Sequence, residues 1–140
     1  MLEQLKTAVG YVRFASLEDG GLQRSNAIVN YCTNKGILVE KILDDRESGY
    51  SPLVTRNGGC KLIDYVDSGE IDYIILSYLH ELSRDNEELY HFLKLLKEKG
   101  IELIVLSSIN IERSYFENLF KDFADRDFQL PRLERGYLYE

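Results

Sequence analysis

The stretch TAVGYVRF at residues 7–14 decides the fold prediction. Its apolar residues do not alternate with polar ones, which is typical of a strand that is buried on both faces of a parallel sheet. Similar apolar runs occur at residues 37–43, 72–78 and 101–106, and the segments between them have helical spacing. The sequence therefore predicts an α/β fold, with a four- to five-stranded, mainly parallel sheet and helices on both faces.

The segments between the strands carry helix and loop signals. Asp85 followed by Glu88 predicts a capping box at the start of a helix. Residues 46–59 contain proline and several glycines, and they predict a loop of about a dozen residues, a length that is usually functional. Helices are predicted over residues 22–35, 59–67, 85–100 and 113–127.

We divide the chain into a core domain over residues 1–110 and a C-terminal segment over residues 111–140. The segment consists of an amphipathic helix and a tail, which is too short for a helix-turn-helix module. Apolar residues of that helix recur with its 3.6-residue period. We predict that these residues form a self-association surface, and the alternative is that they pack against the chain's own sheet. They are Phe116, Leu119, Phe120 and Phe123.

Composition excludes several classes of protein. The 140 residues are 44% hydrophobic and 29% charged, as in ordinary globular domains. No apolar run reaches the roughly 18–20 residues of a membrane span, and the chain begins without a signal peptide, so we expect a cytoplasmic protein. Cys32 and Cys60 form no CxxC pair, which argues against a disulfide framework or a zinc site. The net charge of −7 disfavours binding of nucleic acid by bulk attraction.

No motif indicates a metal or a cofactor. His80 and Glu81 begin like the zinc-protease motif HExxH, but Arg84 stands where the second histidine would be. The glycine pairs in Asp19-Gly20-Gly21 and Asn57-Gly58-Gly59 match neither a P-loop nor a dinucleotide-binding motif, and we interpret both as turns.

Three arginines are more informative. Arg13 lies inside an apolar strand, where charges are rarely buried without a partner. Arg56 and Arg84 are ordinary surface residues when they are considered singly, and Arg13 has the alternative of pairing with an aspartate. At the carboxyl ends of parallel strands, however, the three would converge where open α/β sheets bind ligands. Three guanidinium groups around one crevice suit a phosphate.

Four motifs, in order, resemble the serine recombinases of the resolvase/invertase family. The family's motifs are an opening strand that contains an arginine and a D-x-x-S-G sequence that is followed by an arginine. They continue with the segment that leads into the third strand and with the sequence L-D-R-L-S-R after that strand. The resemblance covers residues 7 to about 107. The matching segments are GYVRF at 10–14, DRESG at 45–49 with Arg56, GEIDYII at 69–75, and LHELSR at 79–84.

The resemblance implies a mechanism and a set of site residues. In this family a serine two residues after the strand-one arginine attacks a DNA phosphodiester, and arginines stabilise the charge that develops. Arg13, Arg56 and Arg84 match the family's active-site arginines. Gln23 lies near a polar helix position that assists them.

Departures from the family pattern fall on the reactive positions. Ala15 stands at the nucleophile position, and a methyl group cannot attack phosphorus. His80 and Glu81 replace an Asp-Arg pair, so that a negative charge stands where a phosphate-binding arginine belongs. Ser16 lies one residue after the nucleophile position and is the alternative nucleophile, although a shift of one residue at a strand end turns the side chain to the opposite face.

These observations support three functions. We favour a catalytically inactive recombinase-like domain that acts by association with itself, with an active recombinase or with a regulator. The alternatives are an active recombinase domain that uses Ser16, and an accessory protein that binds DNA through the arginines. The expected partners are therefore proteins, with weak binding of DNA and none of membranes.

Overall fold

The computed structural model of the chain describes residues 5–14, 20–46, 50–107, 112–123 and 125–137. Strands and helices alternate along it, as the apolar runs predict. Two short 3₁₀ turns, Leu53–Thr55 and Leu79–Glu81, lie before the second and third helices. The elements are β1 (Thr7–Arg13), α1 (Gly21–Lys35), β2 (Leu38–Asp45), α2 (Asn57–Ser68), β3 (Tyr73–Leu76), α3 (Asn86–Lys99), β4 (Glu102–Val105), α4 (Arg113–Leu119) and β5 (Arg132–Leu133).

The five strands form one sheet in the order β2-β1-β3-β4-β5, and every pair is parallel. Successive residues of β1 point to opposite faces, so that Tyr11 belongs to one core cluster and Val12 to another. The first cluster is completed by α2, α3 and α4, and the second by α1. The predicted α/β fold, with a parallel sheet and helices on both faces, is confirmed.

The glycine pair Gly58-Gly59 does not form the predicted turn, because both residues belong to the first turn of α2. A Cβ atom on Gly58 would lie 2.5 Å from the carbonyl oxygen of Asp44, and one on Gly59 would lie 2.1 Å from that of Leu53. The helix therefore packs directly against the backbone of the preceding loop and of β2. This contact starts α2 two residues earlier than the sequence predicts.

Half of the predicted capping box is present at the start of α3. The Asp85 carboxylate accepts hydrogen bonds from the backbone N–H groups of Glu87 and Glu88. The Glu88 carboxylate does not complete the box and instead accepts a hydrogen bond from the Leu53 N–H at 2.6 Å. Glu88 therefore links α3 to the loop that precedes α2.

The C-terminal segment packs on the same core as the rest of the domain. The helix predicted over residues 113–127 ends at Leu119, and Phe116 and Phe120 have no exposed surface. In this conformation their rings pack within the chain, which is the alternative stated above, and self-association through them stays a prediction. Leu119 and Phe123 are half-buried against the same cluster.

Described residues on both sides of the predicted boundary after residue 110 share this core, and β5 extends the sheet by pairing with β4. The division into a core domain and a C-terminal segment stays a prediction. Among the described residues, no helix combines the length and the apolar character that crossing a membrane requires.

Candidate functional site

The candidate site lies at the carboxyl edge of the sheet, where the predicted arginines converge. Arg13 is the last residue of β1, Arg56 immediately precedes α2, and Arg84 follows the turn after β3. Arg13 is buried, Arg56 has no exposed surface, and Arg84 is exposed. Burial lowers the pKa of Arg13, and the positive charges of Arg84 and Arg56 lower it further. The charges of Arg56 and Arg84 therefore act on Arg13.

Arg56 is bound inside the chain. Its Nε donates to the carbonyl oxygen of Ser51 at 3.1 Å, and its Nη1 donates to the carbonyl oxygen of Glu81 at 2.9 Å. The same Nη1 donates to the Tyr11 hydroxyl at 3.0 Å. Because the side chain has no exposed surface, Arg56 cannot contact a ligand from solvent in this conformation.

The hydrogen bonds of Arg56 belong to a buried network that extends through Tyr11 to Asp45 at the end of β2. The Tyr11 hydroxyl donates to Asp45 Oδ2 at 2.6 Å, and burial followed by this hydrogen bond raises the pKa of Tyr11. Asp45 also accepts the backbone N–H groups of Gly58 at 2.6 Å and Gly59 at 2.8 Å. A carboxylate at the N-terminus of a helix is favoured by these donors and by the helix dipole. Asp45 therefore joins β1, β2 and α2.

Glu81 and Arg24 hold the main chain of Arg13, and we call these two residues the Arg13 clamp. Glu81 Oε2 accepts the Arg13 N–H at 2.8 Å, and Arg24 Nη2 donates to the Arg13 carbonyl oxygen at 2.9 Å. Arg24 Nε lies 3.5 Å from Glu81 Oε2, and Glu81 Oε1 accepts the Tyr78 N–H at 3.0 Å. Both side chains of the clamp are buried. Burial raises the pKa of Glu81, although these hydrogen bonds and the charge of Arg24 oppose the shift.

Comparison with known proteins identifies the family. The chain matches the family model of the resolvase N-terminal domain over residues 8–127. It belongs to the resolvase N-terminal domain family. No curated protein matches the chain.

Solved structures share this resolvase fold. The C-terminal catalytic domain of ISC1926 TnpA, an IS607-like serine recombinase, is 25% identical, with a TM-score of 0.66 over 83% of this chain and 79% of that one. The N-terminal catalytic domain of TP901-1 integrase is 19% identical, with a TM-score of 0.62 over 71% of this chain and 76% of that one. A resolvase family site-specific recombinase from Streptococcus pneumoniae is 13% identical, with a TM-score of 0.63 over 84% of this chain and 85% of that one.

One expectation about the resolvase site, that for Glu81, needs correction, and the structure shows which residue of α1 lies at the site. Glu81 does not present an uncompensated negative charge to a phosphate, because it is turned inward and paired with Arg24. Gln23 is exposed, and the neighbouring Arg24 supplies the side chain that α1 contributes to the site. The helical period contains this signal, since Arg24 stands three residues before the buried Ala27 and four before the buried Ile28.

The other predicted positions are placed as follows. The ring of His80 is half-buried and stacks on Tyr78, with 5.4 Å between the ring centroids. Burial lowers the pKa of His80, and the charge of Arg84 lowers it further. Ala15 and Ser16 lie outside the described residues. Within the described ranges, no group of three or more His, Cys, Asp or Glu side chains is arranged to hold a metal ion.

Proposed function

We propose that this chain is a serine recombinase-type domain that does not cleave DNA. In this proposal it acts in site-specific recombination, or in its regulation, by association with itself, with an active recombinase or with a regulator. The burial of Arg56 carries the proposal. An arginine that stabilises charge on a reacting phosphate must reach that phosphate, whereas Arg56 donates to Ser51, Tyr11 and Glu81 of its own chain.

The sequence of the reactive positions supports the same conclusion. Ala15 takes the position that the family resemblance assigns to the nucleophile. At the family's Asp-Arg pair, His80 and Glu81 supply no guanidinium group, and Glu81 is committed to the Arg13 clamp. Of Arg13, Arg24, Arg56 and Arg84, only Arg84 is exposed. A net charge of −7 adds no general attraction for DNA.

Helix α1 offers a surface for protein association. Leu22 is 73% exposed and Val29 is 43% exposed, and they stand seven residues apart, on one face of the helix. They are the large apolar side chains that α1 exposes, and we take the face that carries them as the candidate surface. This face replaces the buried Phe116 and Phe120 as our candidate for self-association.

An assay for covalent protein–DNA adducts tests the absence of cleavage. The wild type and the Ala15→Ser and Ser16→Ala variants are incubated with recombinase-site DNA, with an active resolvase as the positive control. We expect no adduct with the wild type or with Ala15→Ser, because restoring a hydroxyl does not release Arg56. An adduct with the wild type that is lost in Ser16→Ala supports an active recombinase that uses Ser16, and it contradicts the proposal.

Sedimentation at micromolar concentration tests association. We expect the wild type to self-associate and Leu22→Glu to shift it toward monomer, since a charge on this face opposes burial of the apolar surface. Val54→Glu is the matched control, because Val54 is 59% exposed and lies outside α1. A wild type that sediments as a monomer throughout contradicts self-association, and equal effects of the two variants contradict the α1 surface.

A further inference from the structure

A pocket of about 310 Å³ opens beside Arg84, outside the buried network. Its volume lies within the range of small-molecule sites, which is roughly 300–1,000 Å³. Three leucines from separate segments line it: Leu79 follows β3, Leu89 belongs to α3, and Leu119 ends α4. The first two are buried and the third is half-buried, so that the pocket has an apolar floor.

Two tyrosines line the same pocket. Tyr50 is 74% exposed and Tyr115 is 43% exposed. They come from different parts of the chain, the loop before α2 and helix α4. Exposed aromatic rings beside an apolar floor form a stacking surface for a planar ring, and stacking of this kind is tolerant of base identity.

Charge is distributed asymmetrically around the pocket. Arg84 lines it and is exposed, and its positive charge lowers the pKa of the neighbouring His80. A second pocket shares Tyr50 and is lined by Asp85, Glu87 and Glu88. The aromatic pocket therefore has a cation on its lining, and three carboxylates line the neighbouring pocket that shares Tyr50.

We propose that this pocket binds a nucleoside monophosphate, with its base against Tyr50, Tyr115 and the leucine floor and its phosphate on Arg84. The guanidinium group of Arg84 matches one phosphate, because an arginine commonly binds a phosphate through two parallel hydrogen bonds. An extended nucleic acid would have to continue past Asp85, Glu87 and Glu88, whose charges repel its phosphates. The inference goes beyond the proposed function, because neither association nor the absence of cleavage requires a small ligand.

Isothermal titration calorimetry with adenosine 5′-monophosphate, adenosine and inorganic phosphate tests the site. We expect the nucleotide to bind about ten-fold more tightly than either adenosine or phosphate, since only the nucleotide uses both parts of the pocket. Arg84→Ala should weaken the nucleotide about ten-fold and leave adenosine unchanged. Tyr115→Ala should weaken the nucleotide and adenosine by similar factors, about five-fold or more.

Arg135→Ala is the matched control, because Arg135 is an exposed arginine that does not line the pocket. It should bind the nucleotide as the wild type does, and circular dichroism should show that all three variants are folded. The proposal is overturned by absence of nucleotide binding at millimolar concentration, or by phosphate that binds as tightly as the nucleotide. It is also overturned if a single-stranded oligonucleotide binds more tightly and Arg135→Ala weakens that binding as much as Arg84→Ala does. None of these results depends on the DNA adduct assay, so that the two proposals fail separately.

Discussion

The carboxyl edge of the sheet buries charged groups, whereas the C-terminal segment buries aromatic rings. At the sheet edge, Arg56 and the Arg13 clamp are held by directional hydrogen bonds with particular partners. In the segment, Phe120 packs 5.3 Å from both Tyr90 and Phe128, measured between ring centroids. Buried charges require specific partners, whereas apolar packing tolerates a change of shape if volume is kept. The two regions should therefore respond differently to conservative substitutions.

The largest effect is expected in the aromatic cluster. Phe120→Ala removes a ring with no exposed surface, and it should lower the free energy of unfolding by about 3–5 kcal/mol. Phe120→Leu keeps most of the apolar volume and should cost less than about 1.5 kcal/mol. Urea unfolding followed by circular dichroism measures both values. Equal losses in the two variants would show that this cluster, like the sheet edge, depends on specific geometry.

A smaller effect is expected for a nearly isosteric change in the Arg13 clamp. Glu81→Gln replaces one accepting oxygen by a donating amide, which then faces either the Arg13 or the Tyr78 N–H. The free energy of unfolding should fall by about 1–3 kcal/mol, because a buried donor loses its acceptor. Glu117→Gln is the matched control, since Glu117 forms an exposed pair with Arg113 and should change stability by less than about 0.5 kcal/mol. If Glu81→Gln and Glu117→Gln lower the free energy of unfolding by the same amount, the buried contacts of Glu81 do not contribute to stability.

The smallest effect concerns the dependence of stability on pH. Because the pKa of His80 is lowered in the folded chain, the unfolded chain binds a proton on this ring at higher pH. The free energy of unfolding should therefore fall as the pH drops below about 6.5, and His80→Gln should reduce that fall. Urea unfolding at about pH 8 and about pH 5 measures the difference, with His91→Gln as the control at the chain's other histidine. If His91→Gln reduces the fall as much as His80→Gln does, the effect does not arise at the sheet edge.

The sequence predicts the sheet well because period and composition report burial directly. The apolar run at residues 7–14 forms β1, and Arg13 lies at the carboxyl end of that strand, where the sequence places it. It predicts poorly what depends on contacts between distant residues. The inward turn of Glu81 requires Arg24, which is 57 residues away in the chain. Nothing local to either residue indicates that their charges are paired.

The C-terminal helix is a second case in which a sequence pattern does not identify the contact partner of a buried surface. The spacing of Phe116, Phe120 and Phe123 correctly indicates a buried face, but it does not state whether that face meets the chain's own sheet or a second copy. Phe128, which packs on Phe120 from beyond the helix, completes the cluster within the chain. The helical spacing of apolar residues also continues past Leu119, where the helix ends. Phe123 fits this spacing and packs against the core cluster, but it lies outside the helix.

The central claim is that Arg56, which the family resemblance assigns to the active site, stabilises the fold instead of contacting a phosphate, and substitution of Arg56 tests it most directly. The measurement is the free energy of unfolding of Arg56→Met by urea. The account predicts a loss of about 3 kcal/mol or more, because the carbonyl oxygens of Ser51 and Glu81 and the Tyr11 hydroxyl lose a buried donor. Unchanged or increased stability would contradict it, since that is the result expected of a functional group maintained at a cost to stability.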